Sequence, residues 1–167
     1  MNGFLKSVGV LMVAFLFMIG GCSSGTREKS HVNPLATADA TVKAFCDLDG
    51  DGMRLTSETW SKILPYIAWS EEAGWDRIVV IEGYQVANAE TRTETSAKVS
   101  VVYDVAGNLS QDYVPGKKKE TVVFTVQKTG AGWKINDPDF MPPHVLMKPV
   151  MRHLRETKRL EMADKIK

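Results

Sequence analysis

The chain reads as an α+β protein: N-terminal helices packed on a curved, four-stranded antiparallel sheet, followed by a C-terminal helix. Three observations carry that reading. Apolar residues recur at helical spacing up to about residue 70. From Trp75 onward the period changes to two. Clusters of Gly, Pro and Asn punctuate the alternating runs, as turns between strands require.

The first predicted helix starts near Thr37, where Ala38, Thr41, Val42, Phe45 and Leu48 share one side. Asp-Gly-Asp-Gly at 49–52 ends it. A second helix is expected from Thr56 or Ser57, with Glu58 in its first turn and Trp60, Ile63, Leu64 and Ile67 as its apolar stripe. Pro65 bends it or marks its last turn. Strands follow: Ile78-Val79-Val80-Ile81 continuing to Val86, with Gly83 as a bulge candidate. Next come Ala97, Val99, Val101, Tyr103 and Val105, alternating with polar residues. A long turn is expected over residues 106–116, then a strand through Val122, Phe124 and Val126. Thr129-Gly-Ala-Gly is a hairpin signal returning through Trp133 and Ile135. Pro142-Pro143 closes the sheet, and a helix begins near Lys148 with Val150, Leu154 and Met151 inward. Beyond Arg155 the charged tail is expected to fray. Trp60, Phe124 and Trp133 are the expected core aromatics.

The chain has 167 residues and a formal net charge of +1, with lysines and acids interspersed. That balance gives no electrostatic case for nucleic acid as a partner. Lys117, Lys118 and Lys119 read as a solvated loop. Of the two cysteines, Cys46 sits beside Phe45 on an apolar helix face and reads as a small core residue.

Upstream, Lys6 precedes an apolar run from Val8 that ends in Ile19-Gly20-Gly21-Cys22. This resembles a bacterial lipoprotein signal with its lipobox, and the run is short for a bilayer span. The resemblance implies a signal peptide at 1–21, lipidation of Cys22, and a polar tether at 22–35. It also implies a location in the cell envelope, on the periplasmic face of the outer membrane if the host has one. With Cys22 carrying lipid, Cys46 is alone and no internal disulfide is expected. The element order and the Trp-Lys-Ile-Asn-Asp ending resemble the nuclear transport factor 2-like, cystatin-like α+β cone over 36–142, with helix and tail at 143–167. The runs beginning at Ile67 and Trp133, with Pro142-Pro143-His144, are similar to a group of uncharacterised lipoproteins that brings no established activity. The cone hosts enzymes, ligand binders and adaptors, so fold alone does not select a function.

Two constellations carry chemistry. Residues 47–58 match the calcium-loop pattern, with Asp47, Asp49, Asp51 and Glu58 as oxygen ligands. The flanking apolar stripes are one residue out of register, Arg54 stands where an aliphatic residue pairs loops, and no second loop exists. A solvated turn with no bound cofactor is therefore expected, with Glu58 at the start of the second helix. The second constellation is a pocket inside the sheet. If Trp133 and Ile135 face inward, so does Asp137, where burial raises a carboxyl's pKa toward a useful range. Tyr84, Tyr103 and His144 are its possible companions, although Asp137 beside Pro138 also fits a turn, and His144 after two prolines fits a loop or the start of a helix.

The first functional expectation is a lipid-anchored, non-enzymatic binding or accessory module for an envelope protein or small ligand. The alternatives are an enzyme centred on Asp137 and a calcium-stabilised module.

Overall fold

The computed structural model describes residues 33–71, 74–136 and 141–166. It is an α+β domain built on a strongly curled mixed sheet. Helix α1 spans Ala38–Gly50 and α2 spans Ser57–Trp60, followed by a 3₁₀ turn at Leu64–Tyr66. Strands β1 (Ile78–Thr93), β2 (Ser96–Leu109), β3 (Tyr113–Thr129), β4 (Gly132–Ile135) and β5 (His144–Leu146) precede α3 (Met147–Glu156) and α4 (Leu160–Lys165). The strand order is β4-β3-β2-β1-β5.

Helix α1 forms where its apolar spacing places it. The Thr37 side chain accepts from the Ala40 amide at 3.2 Å, capping the first turn. Val42, Phe45 and Cys46 are buried along one face. The Asp-Gly-Asp-Gly segment stops the helix as a Schellman motif: Gly52 donates to the Asp49 carbonyl at 2.9 Å and Met53 to the Leu48 carbonyl at 3.0 Å. Gly52 takes a φ of +80°, a conformation that favours glycine.

The second helix departs from expectation. Only one turn forms, and the apolar residues beyond it belong to irregular structure and the 3₁₀ turn. Pro65 has no amide hydrogen to continue an α-helix, and Thr59 turns back to the Met53 carbonyl at 2.7 Å. Ile63 and Ile67 still reach the core, and Ile67 bridges to Ile135 at the sheet edge.

The sheet also corrects the four-stranded antiparallel prediction. Three long strands make its body, β4 is a short edge, and β5 adds a parallel fifth strand through Val79↔His144, Val80↔Val145 and Ile81↔Leu146. The expected long turn shrinks to residues 110–112, because β2 and β3 pair as far as Leu109↔Tyr113. Gly107 permits that pairing: a Cβ there would lie 2.6 Å from the Val114 carbonyl oxygen and 2.7 Å from the Tyr113 ring. The lysine run lies within β3 rather than in a loop. Its members meet acids on three strands: Lys117 with Glu82 and Lys118 with Glu120, both at 2.7 Å, and Lys119 with Asp104 at 3.2 Å.

Both faces of the sheet are covered near β5, not one. Val79 and Ile81 join the core under α1 with Val99, Val101, Phe124 and Ile135. Ile78 and Val80 point the other way and pack with Val145, Val150, Leu154 and Ile166. That is why Ile78–Ile81 is an unbroken apolar run rather than an alternation. The tail does not fray after Arg155: α4 returns, with Ala163 and Ile166 buried. Among the expected core aromatics Phe124 is buried, edge-on to Phe45 with ring centroids 5.7 Å apart. Trp60 and Trp133 are only partly buried. Among the described residues no helix is long and apolar enough to cross a membrane.

Phe124→Ala is expected to cost about 3–5 kcal/mol, from lost burial and the cavity left against Phe45. Urea denaturation of the variant measures it; a midpoint matching wild type would refute this placement of Phe124.

Candidate functional site

Two places in the domain gather polar or open features. The first is a buried network at the β5 end. Asp49, on the last turn of α1, is fully buried, and its Oδ2 accepts from the His144 backbone amide at 2.9 Å. Arg54 Nη1 lies 3.7 Å from the same oxygen, and Arg54 Nη2 donates to the Met141 carbonyl at 2.9 Å. His144 is thus a buried strand residue rather than one in a loop or at the start of a helix. Its ring stacks on Tyr103 with centroids 4.1 Å apart. The Pro142 carbonyl sits 2.9 Å from Nδ1 and can only accept, so Nδ1 carries the proton. In the neutral ring Nε2 is then an acceptor, and it faces Glu120 Oε1 at 3.5 Å, too far for a good hydrogen bond. Burial pushes the His144 pKa below its ordinary value, partly offset by Glu120. Glu120 is held below the usual carboxylate range, first by its hydrogen bond from Lys118.

Tyr103 joins this network to Cys46, whose sulfur lies 3.2 Å from the phenolic oxygen. Burial pushes the Cys46 thiol up to about 12, so it is protonated and unreactive, as its core position implies. The Tyr103 ring is 5.9 Å from Tyr84, whose hydroxyl donates to Asp47 Oδ1 and lies 3.3 Å from the Lys43 carbonyl. Partial burial and the Asp47 carboxylate raise the Tyr84 pKa. Of the proposed catalytic set, His144 and Tyr84 each pack on Tyr103, and each keeps its own hydrogen-bond partners. Asp137 lies outside the described residues, as does Cys22. Glu120 and the Asp49–Arg54 pair escaped the sequence reading. The only available signal was that Glu120 continues the inward alternation of Val122 and Phe124.

The four acids of the calcium pattern do not gather at one point. Asp47 binds Lys43 at 2.7 Å and Tyr84, Asp49 is buried against Arg54, Asp51 caps α1, and Glu58 is exposed in the first turn of α2. Among the described residues no three His, Cys, Asp or Glu side chains form a metal-holding group.

The second place is a groove between α1 and β1. One part, about 750 Å³, is bounded by Lys43, Asp47, Gly83, Tyr84, Val86 and Leu146. Lys43 and Val86 also border a second part of about 900 Å³, which runs past Ala36, Ala40, Ala89 and Trp133. Both volumes fall within the roughly 300–1,000 Å³ of small-ligand sites. Among the described residues β5 pairs with β1 only from Val79 to Ile81, so the rest of that edge borders the groove without a neighbouring strand. Comparison with protein-family models, curated proteins and solved structures finds no match.

The pH response follows from the histidines. Between its lowered folded pKa and the ordinary 6.5, His144 binds more protons in the unfolded chain than in the fold. Stability is therefore complete above 6.5 and declines as the pH falls below it. His153, lowered by partial burial, acts in the same direction. Glu120 contributes above its ordinary 4.5 and loses that contribution only below it. Urea titrations from pH 7.5 to 5 are expected to show this decline, with His144→Gln flattening it more than His153→Gln; the reverse ranking would show that His144 is solvated. A thermal melt in millimolar calcium is expected to match one in chelator, since among the described residues the four acids form no metal-holding group. An upward shift abolished by Glu58→Gln would restore the calcium reading.

Proposed function

We propose that the protein is a lipid-anchored envelope protein whose curled-sheet domain works as a binding or accessory module. Its ligand lies in the groove between α1 and β1. The groove is the observation that carries this reading: it is open, lined by small and apolar groups together with Asp39, Lys43 and Asp47, and flanked by a sheet edge that no other strand among the described residues pairs with. The wrapping of the sheet around α1 supports the cone architecture. The lipobox supports attachment through Cys22, with the polar stretch that follows as the tether.

One observation favours the alternative, an enzyme with a polar pocket around Asp137. A histidine nitrogen buried against a carboxylate, as His144 is against Glu120, is an arrangement suited to proton transfer. The binding reading ranks first because His144 does not border the groove, whereas Tyr84 and Lys43 do.

The test is made in cells of the native host. A photo-crosslinking residue at Gln85, on the groove wall, is expected to capture a discrete ligand or protein that the same residue at Val123, on the exposed face, does not. In the same cells wild type is expected to incorporate a palmitate analogue and Cys22→Ala is not. Equal capture at both positions would reject the groove, and equal labelling would reject the anchor.

A further inference from the structure

We propose that the edge of β1 at residues 83–86, which no other strand among the described residues pairs with, docks an extended peptide strand from another protein, laid in line with β5. The inference rests on the binding-module reading and names its occupant.

Backbone N–H and C=O groups on a strand edge require partners, and an open edge is a template for another strand. β5 already answers that requirement for Val79, Val80 and Ile81, and Val79 donates to the Pro143 carbonyl at 2.8 Å. The chain then leaves the edge, because Met147 begins α3. Leu146, the last residue of β5, is also a wall of the groove, so the groove opens where β5 ends. A strand placed there continues a pairing line that the fold has already established.

The edge at this point is regular. Gly83, Tyr84, Gln85 and Val86 pair in consecutive register with Asp104, Tyr103, Val102 and Val101, and irregularities lie on either side. Four residues of strand span about 13 Å. The opposite wall is α1, with Lys43 and Asp47. One wall of backbone hydrogen-bonding groups selects an extended main chain; a helix arrives with its backbone groups already paired. The side-chain preference follows from the lining. Val86, Ala36, Ala40, Ala89 and Trp133 suit small apolar residues at alternate positions. Lys43 and Asp47 neutralise each other at 2.7 Å, and Asp39 leaves the lining with a net negative charge that disfavours an acidic segment.

The experiment uses the purified full chain in detergent and a random dodecapeptide library displayed on phage. Selected peptides are synthesised unmodified and with backbone N-methyl groups at alternate positions, in each of the two registers. The unmodified peptide is expected to slow hydrogen exchange across residues 83–86. One N-methyl register is expected to weaken binding at least tenfold while the other leaves it unchanged, because only alternate amides of an added strand face β1. If exchange is slowed at 83–86 but neither register weakens binding, strand addition is rejected while the groove reading stands. If no peptide is enriched, or protection falls only on other elements, the proposal is overturned, and crosslinking at Gln85 decides separately whether the groove reading survives.

Discussion

The hydrogen bond from the His144 amide to the Asp49 carboxylate is the contact on which the arrangement of this domain depends. It joins residues 95 apart in sequence, the last turn of the first helix and the first residue of the last strand. A carboxylate taken out of water is costly unless its oxygens find donors and a counter-charge. Here the amide and Arg54 supply both, and Arg54 also holds the Met141 carbonyl, so the approach to β5 is secured from two sides. With β5 placed beside β1, the following helix has only one place to go, over the face that Ile78 and Val80 present. One buried charge thus ties the helix inside the curl to the helices outside it.

Local patterns in the sequence carried much of this. The helix start near Thr37, the burial of Val42, Phe45 and Cys46, and the inward side of β2 and β3 all follow from spacing over a few residues. What escaped depends on distant partners. His144 looks like a loop residue until Val79, Tyr103 and Asp49 arrive from other elements. The lysine run looks like a solvated loop because its three acids lie on three strands. The second helix was overread for a different reason: Ile63 and Ile67 are core residues, but helical spacing alone cannot say that Pro65 and the Thr59 back-bond divert the chain. In α4, abundant charge concealed two buried residues, Ala163 and Ile166.

The two polar regions divide the domain by role. The network around Asp49 and His144 is committed to structure: the carboxylate holds a strand amide, and one ring nitrogen holds a carbonyl. The groove is open, and its walls are a helix side and a strand edge. Tyr84, on the groove wall, packs on the buried Tyr103 ring 5.9 Å away, and Tyr103 stacks in turn on His144. A binding surface with that support needs little reorganisation to accept a ligand, which reduces the ordering cost of association.

The interruptions along β1 bear on whether copies of the domain can stack edge to edge. A 16-residue strand whose outer side pairs, among the described residues, only at Val79–Ile81 is in principle a seed for sheet growth from molecule to molecule. The register shifts between Ile81 and Gly83, Val86 and Ala89, and Thr91 and Thr93 break that side into short lengths that no long partner strand can follow. Identical copies would have to match bulge against bulge to stack, whereas a short segment meets no such obstacle. The broken edge therefore disfavours fibre growth from molecule to molecule.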